Sequence, residues 1–330
     1  MTLFEPSEEV LAGRTADIYL QRTIQVLEQE NLNPTTTMEF FPARAGLFCG
    51  IEEARPLLSK VLSGVPSEVW ALPEGEPMSR KEVVLRIKAP YQSYGIYETA
   101  ICGFLAHQSG WATAARECVE AAANIPVISF GARHIHPSVA AVMDYAAIVG
   151  GCQGCSTSKG AELAGLAPSG TMPHALVLIM GDTVQATEAF NRHIPPEVAR
   201  VSLVDTFRDE AEEALRVAQA LGERLAMVRL DTPRERGGVT PELVREVRCR
   251  LDLAGFTHVG IFVSGGITAE RIRQFIAEKT PVNGFGVGSY ISGATPIDFT
   301  ADIHELDGRA IAKRGRLPGL TSNPRLKRLL

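Results

Sequence analysis

Side chains able to act on an anionic substrate recur just after short apolar runs in this chain. Arg133, His134 and His136 follow PVISFGA, and Thr171 and His174 follow PSG. Asp205 ends SLVD, and Arg229 and Asp231 close VRLD with Arg234 and Arg236 beyond. Two glycine turns complete the set, Ser264-Gly265-Gly266 and Gly286-Val287-Gly288-Ser289. Glycine leaves backbone N–H groups open to a phosphate, and the planar fork of arginine matches phosphate or carboxylate oxygens.

Each has a plainer alternative. The glycines could serve tight turns alone, Arg133 could pair with a surface carboxylate, and Asp205 and Asp231 could cap the turns that follow them. His134 and His136 bracket Ile135, so at most one of them need face a site. Arg229 and Asp231, two residues apart, share one side of an extended strand. His174 lies in no evident core pattern or metal-ligand set, and a reactive imidazole facing phosphates can accept a phosphoryl group. Taken together, the residues suit transfer of a phosphorylated sugar. Carboxylates would hold ribose hydroxyls or steady an oxocarbenium ion, while arginine and Mg²⁺ neutralise a departing diphosphate.

Elements must bring these residues to one place. Residues 11–31 carry apolar and charged residues at helical spacing, with Asp17, Tyr19, Arg22 and Thr23 clustered on them. TTTMEFF reads as a strand, residues 50–63 as a helix, and SEVWALPEG and KEVVLRIKAP as further strands, together an α+β unit on an antiparallel sheet. A long, largely buried helix is expected from about residue 94 to 123, with Gly110 a candidate interruption. Seven apolar runs then alternate with helical stretches: PVISFGARH, AAIVGGCQG, PSGTMPHAL, VARVSLVDT, ERLAMVRLDT, HVGIFVSGG and NGFGVGS. That alternation predicts a parallel sheet with outer helices, and a barrel brings strand ends together on one face. The predicted fold is α/β: an irregular or incomplete (β/α) barrel with an N-terminal α/β sandwich domain that also takes C-terminal strands. Residues 1–110 form the first part of the sandwich, 111–292 the phosphate-binding barrel, and 293–330 a return to the sandwich with a basic, loosely held tail.

Bulk properties narrow the function. A net charge of −5 over 330 residues offers no basic excess for nucleic acid. No apolar run reaches membrane-spanning length, and MTLFEPSEEV is acidic rather than a signal peptide, so a cytoplasmic protein is expected. The six cysteines are scattered, as for reduced thiols. Cys152 and Cys155 form a C-x-x-C with no second ligand pair, which is weak evidence for metal or redox use.

The ordered set FGARHIHP, GTMPH, LVDTFRDE, VRLDTPRERGG, FVSGGI, FGVGS and AKRG resembles nicotinate phosphoribosyltransferase of the short archaeal and bacterial type. TADIY is similar to that family's Thr-Asp-x-Tyr signature, with Ala16 in place of its threonine. The resemblance implies a type II phosphoribosyltransferase fold and a homodimer, or a higher oligomer, with active sites shared between subunits. It implies that nicotinate and 5-phosphoribosyl 1-diphosphate give nicotinate mononucleotide and diphosphate, driven by ATP through a phosphohistidine at His174. Tyr19 would stack on the pyridine ring in the neighbouring subunit. Arg133 would contact diphosphate or the nicotinate carboxylate, and Asp205 would sit near ring and sugar. Arg229 and Asp231 would hold the donor, Asp231 also through Mg²⁺, while Gly265, Gly266, Gly286, Gly288 and Ser289 would cradle the 5-phosphate. No zinc is expected, because no cysteine follows Cys249. The rivals are quinolinate phosphoribosyltransferase, which also removes a carboxylate, and a non-catalytic phosphate-binding barrel.

Overall fold

A computed structural model describes residues 4–330, in two compact units. One comprises the chain up to Thr113 together with 294–330; the other is 114–293.

The first unit is built on a six-stranded antiparallel sheet. Its central strand Thr35–Pro42 pairs on one side with Phe299–Leu306 and on the other with Leu85–Pro90, followed by Glu68–Ala71. Asp307 and Gly308 both take positive φ between Phe299–Leu306 and Arg309–Ala310, the conformation that a tight hairpin of this twist demands. The expected loose tail is instead fastened. Lys327 and Arg328 pair with Ala71 and Trp70, Leu326, Leu329 and Leu330 pack on the core, and Arg325 reaches Glu76 and Glu82. The helix Glu98–Ala121 runs unbroken through Gly110. That glycine serves a close approach: a Cβ there would sit 2.7 Å from the Thr295 carbonyl oxygen.

The second unit carries a six-stranded parallel half-barrel. Its strands lie in the order Gly154–Cys155, Val127–Ser129, Gly284–Val287, Gly260–Val263, Met227–Leu230 and Val201–Leu203. The first strand in sequence therefore neighbours the last, as in a barrel, but the second and third do not pair. Six strands form where seven runs were expected. PSGTMPHAL makes none: Pro168, Gly170 and Pro173 deny the segment a regular ladder, and His174–Met180 is helix. AAIV also belongs to a helix, Pro137–Val149, which is apolar on so many sides that periodicity cannot tell it from a buried strand. Side-chain caps start the helices that return from the sheet, Thr157, Asp182, Asp209, Thr240 and Thr268 each accepting a backbone N–H in the next turn. Among the described residues no helix is long and apolar enough to cross a membrane.

Candidate active site

Two adjoining cavities open at the C-terminal ends of the parallel strands, sharing Phe130, Arg133, Arg229 and Asp231 as a common wall. The larger, about 530 Å³, is also lined by Ser156, Ser169, Thr171 and His174. The smaller, about 80 Å³, is lined by His134, Ser264, Gly265, Gly266, Gly286, Gly288 and Ser289.

Arg229 is the hub. Its Nε donates to Ser264 Oγ at 2.8 Å, one terminal nitrogen to Thr171 Oγ1 at 2.8 Å and the other to Asp231 Oδ2 at 3.0 Å. Its guanidinium lies 5.2 Å from the centroid of the Phe130 ring, whose electron-rich face favours a cation. Burial pushes the Arg229 pKa down, while Asp231 and Asp205 push it back up. Asp231 Oδ1 is 2.8 Å from Ser264 Oγ. One buried hydroxyl thus ties the strand end carrying Arg229 and Asp231 to the glycine turn.

Gly265 and Gly266 both take positive φ, +83° and +65°, a region costly for any residue with a Cβ. Their amides donate to no group among the described residues. The small cavity therefore presents free N–H groups beside cationic side chains, the arrangement that holds a phosphate. Gly286, in the lining of the same cavity, has a second service. A Cβ there would lie 2.6 Å from the Phe130 ring and 3.0 Å from Phe262, so its bareness makes room for the aromatic pair beneath the arginine.

The histidines separate. His134 faces the small cavity, with its Nε2 3.5 Å from where a Gly288 Cβ would be. His136 instead caps the helix Pro137–Val149, its Nδ1 accepting the Ser138 amide at 3.2 Å. His174 lines the large cavity, and its Nε2 is 3.0 Å from Asp205 Oδ2. The Asp205 side chain is 1% exposed and stands behind the imidazole, lining neither cavity. Burial raises its pKa, with His174 opposing the shift through hydrogen bond and charge and Asp231 adding to it. Its Oδ1 has no hydrogen-bond partner, nor does the neighbouring Thr206 Oγ1.

Arg133, exposed at the shared wall, makes no hydrogen bond or ion pair among the described residues. Tyr19 belongs to the other unit, exposed on the helix Ile18–Gln29. There it lines a cavity of about 510 Å³ with Tyr91, Glu98, Asp302 and Lys313. Cys152 and Cys155 are buried, with thiol pKa values pushed up, first by burial, which leaves them inert. Among the described residues no three His, Cys, Asp or Glu side chains group to hold a metal. Asp231 is one carboxylate already engaged by Arg229 and Ser264. Sequence reasoning missed Phe130 and Ser169; an aromatic residue directly before Gly-Ala-Arg was the available signal for the first.

Comparison with known proteins corrects the expected family. The quinolinate phosphoribosyl transferase N-terminal domain matches residues 17–109, and the C-terminal domain of the same family matches 111–302. A solved structure described as nicotinate-nucleotide pyrophosphorylase from Pyrococcus furiosus is 44% identical, covering 96% of this chain and 81% of that one with a TM-score of 0.88. The nicotinate-nucleotide pyrophosphorylase [carboxylating] of Rattus norvegicus is 26% identical, over 80% of this chain and 82% of its own length. A nicotinate phosphoribosyltransferase of Mycobacterium tuberculosis is 34% identical over 76% of this chain, which spans about half of that relative's length (55%). The ATP-coupled nicotinate enzyme is therefore withdrawn, together with nicotinate and ATP as its partners. The matched family takes quinolinate and no ATP, so the phosphohistidine and ligase assignments lose their reagent. What remains at His174 is an imidazole tied to a buried carboxylate and directed at the larger cavity.

Proposed function

This chain belongs to the quinolinate phosphoribosyl transferase family, and on that footing we propose that it transfers a phosphoribosyl group to quinolinate with loss of CO₂. The observation that carries the proposal is the pair of cavities divided by Arg229 and Asp231, one fitted to a phosphate and one large enough for a flat dianion with a ribose beside it. The 5-phosphate takes the free amides of Gly265 and Gly266, with Gly288, Ser289 and His134 around it. Asp231 and Arg229 bracket ribose and diphosphate. Arg133 and His174 face the larger cavity as the groups for the two ring carboxylates. Asp205 orients His174 from behind, through the contact between its Oδ2 and the imidazole Nε2.

The pyridine nitrogen attacks C1 of the donor as the C1–O bond to diphosphate breaks. The carboxylate next to the nitrogen then leaves as CO₂, and the ring carbon takes up a proton. Charge on the nitrogen stabilises the electron pair left behind, so the protein needs to hold and neutralise rather than supply a nucleophile. Tyr19 is the proposed aromatic cover for the ring, offered by a second copy of the chain. In the same reading the open parallel sheet is an incomplete barrel, its partner unit is a sandwich, and the chain works in the cytoplasm.

The test mixes the protein with 5-phosphoribosyl 1-diphosphate and either quinolinate or nicotinate, with and without ATP. Mononucleotide and CO₂ are expected from quinolinate at a rate that ATP does not change. Product from nicotinate alone, or no mononucleotide from either acid, refutes the proposal.

A further inference from the structure

The strap that follows Asp231, TPRERGG, is fastened on both sides of one unpaired arginine. Thr232 Oγ1 donates to Glu210 Oε1 at 2.8 Å, and Arg236 reaches Glu210 Oε2 at 3.4 Å. Glu210 is 2% exposed, so one buried carboxylate anchors both flanks. Backbone bonds close the strap: the Pro233 carbonyl accepts the amides of Arg236 and Gly238, each at 3.0 Å, and the Arg234 carbonyl accepts that of Gly237 at 2.9 Å. Gly237 and Gly238 both take positive φ, +96° and +71°, which turns the chain back.

The Arg234 guanidinium, unlike that of Arg236, makes no hydrogen bond or ion pair among the described residues. Its guanidinium edge faces the glycine turn: a Cβ at Gly266 would lie 3.4 Å from its Nη2 and 3.6 Å from its Nε. Those two nitrogens form the edge that pairs with two oxygens of one phosphate. Arg271 stands near from the helix Ala269–Ala277, donating to the carbonyls of Gly265 and Val239 rather than to a carboxylate. Burial, and then the charge of Arg234, lowers its pKa. Two guanidiniums thus flank the free amides of the glycine turn, neither of them in an ion pair among the described residues, and the nearby Asp231 is already engaged by Arg229 and Ser264.

We propose that Arg234 is a phosphate clamp, held by the Glu210 anchor at the rim of the smaller cavity and closing on the 5-phosphate of the donor. This rests on the phosphoribosyl reading of the site and adds a specificity-determining residue to it. Ribose 5-phosphate, which has only the 5-phosphate, and inorganic diphosphate, which stands in for the leaving group, separate the two ends of the donor in titration calorimetry. Wild-type protein is expected to bind both. Arg234→Ala should weaken ribose 5-phosphate roughly 10- to 100-fold and leave diphosphate within about twofold, since only hydrogen bonds to one charged group are removed. Arg234→Lys should recover part of the loss, keeping the charge without the fork. In turnover, Arg234→Ala should raise KM for the donor with little change in kcat. Unchanged ribose 5-phosphate binding by Arg234→Ala, or equal weakening of both ligands, overturns the clamp while leaving the phosphoribosyl reading in place. If wild-type protein binds neither ligand, that reading falls as well.

Discussion

The two units handle charge in opposite ways. In the antiparallel unit the buried charges find partners within the fold. Glu39, fully buried on the central strand, accepts both Arg86 Nε at 2.8 Å and Arg86 Nη2 at 2.6 Å, and also the Thr321 amide. Asp302 is held by Lys313 and Arg316, and their charge and hydrogen bonds keep its carboxyl below the ordinary range despite burial. In the parallel unit the strand ends leave Arg133 and Arg234 unpaired and two buried oxygens, Asp205 Oδ1 and Thr206 Oγ1, without a partner. A fold does not gain stability from unpaired guanidiniums. Arg133 on the wall of the smaller cavity and Arg234 against the positive-φ Gly266 mark surfaces built for an anion that comes and goes. The first unit shows what charges look like when they serve the fold, and the second what they look like when they serve a ligand.

The contrast can be broken most forcefully at Arg86. Arg86→Ala leaves Glu39 as a buried carboxylate with its main counter-ion gone, and loss of one partner of a buried pair costs about 3–5 kcal/mol. Urea unfolding should show a loss of that order, while kcat per folded molecule stays unchanged. If stability barely moves, the first unit does not depend on pairing and the comparison fails on that side.

Arg133→Ala is the matching change in the second unit. No bond within the fold is lost, and a repulsion felt by Arg229 is relieved. The melting temperature should hold or rise slightly while kcat/KM for the acceptor falls by roughly 10²-fold, the scale expected for one preorganised charge at a reacting anion. A variant that loses stability without losing activity would make Arg133 a structural residue after all.

Much of this contrast was legible before any coordinates, and the exceptions have physical causes. VRLD and FVSGG announced themselves because a buried parallel strand is a short apolar run, and its first polar residue must lie at the strand end. Arg229, Asp231 and the two glycines followed directly. The tail was misread because its Lys and Arg look like a solvated charge run, although Leu326, Leu329 and Leu330 carry the packing. His136 looked like a site residue because composition does not reveal aim: it caps a helix, whereas Gly286 lines the smaller cavity and also clears space for Phe130 and Phe262. The family was missed for a related reason. Glycine turns, strand-end aspartates and arginines point to an anion with a phosphate, and none of them names the acceptor that would lie beside it.

The smallest expected effect tests whether pairing in the antiparallel unit is complete. Glu53, on the helix Ile51–Val61, accepts the Gln108 side-chain amide at 2.6 Å and lies near Glu74. Glu74 is occupied by the amides of Gly50 and Ile51, at 3.1 and 3.0 Å, and by the Cys49 thiol at 3.3 Å. Burial first, then repulsion from Glu74, raises the Glu53 pKa from 4.5 to about 7, against the lowering effect of Gln108. An acid whose folded pKa exceeds its unfolded one binds its proton more tightly when folded. Its stabilising contribution is therefore full below the unfolded pKa and is lost as pH rises through the folded value, here from 4.5 toward 7. Glu53→Gln removes the titration and keeps a group that can face Gln108. Across that window the wild type should lose roughly 1–2 kcal/mol relative to the variant, a shift discounted for partial solvent access. Parallel stability curves for the two proteins would mean that Glu53 is as well served as Glu39, and that this unit neutralises its carboxylates entirely with cations and amides rather than partly with a proton.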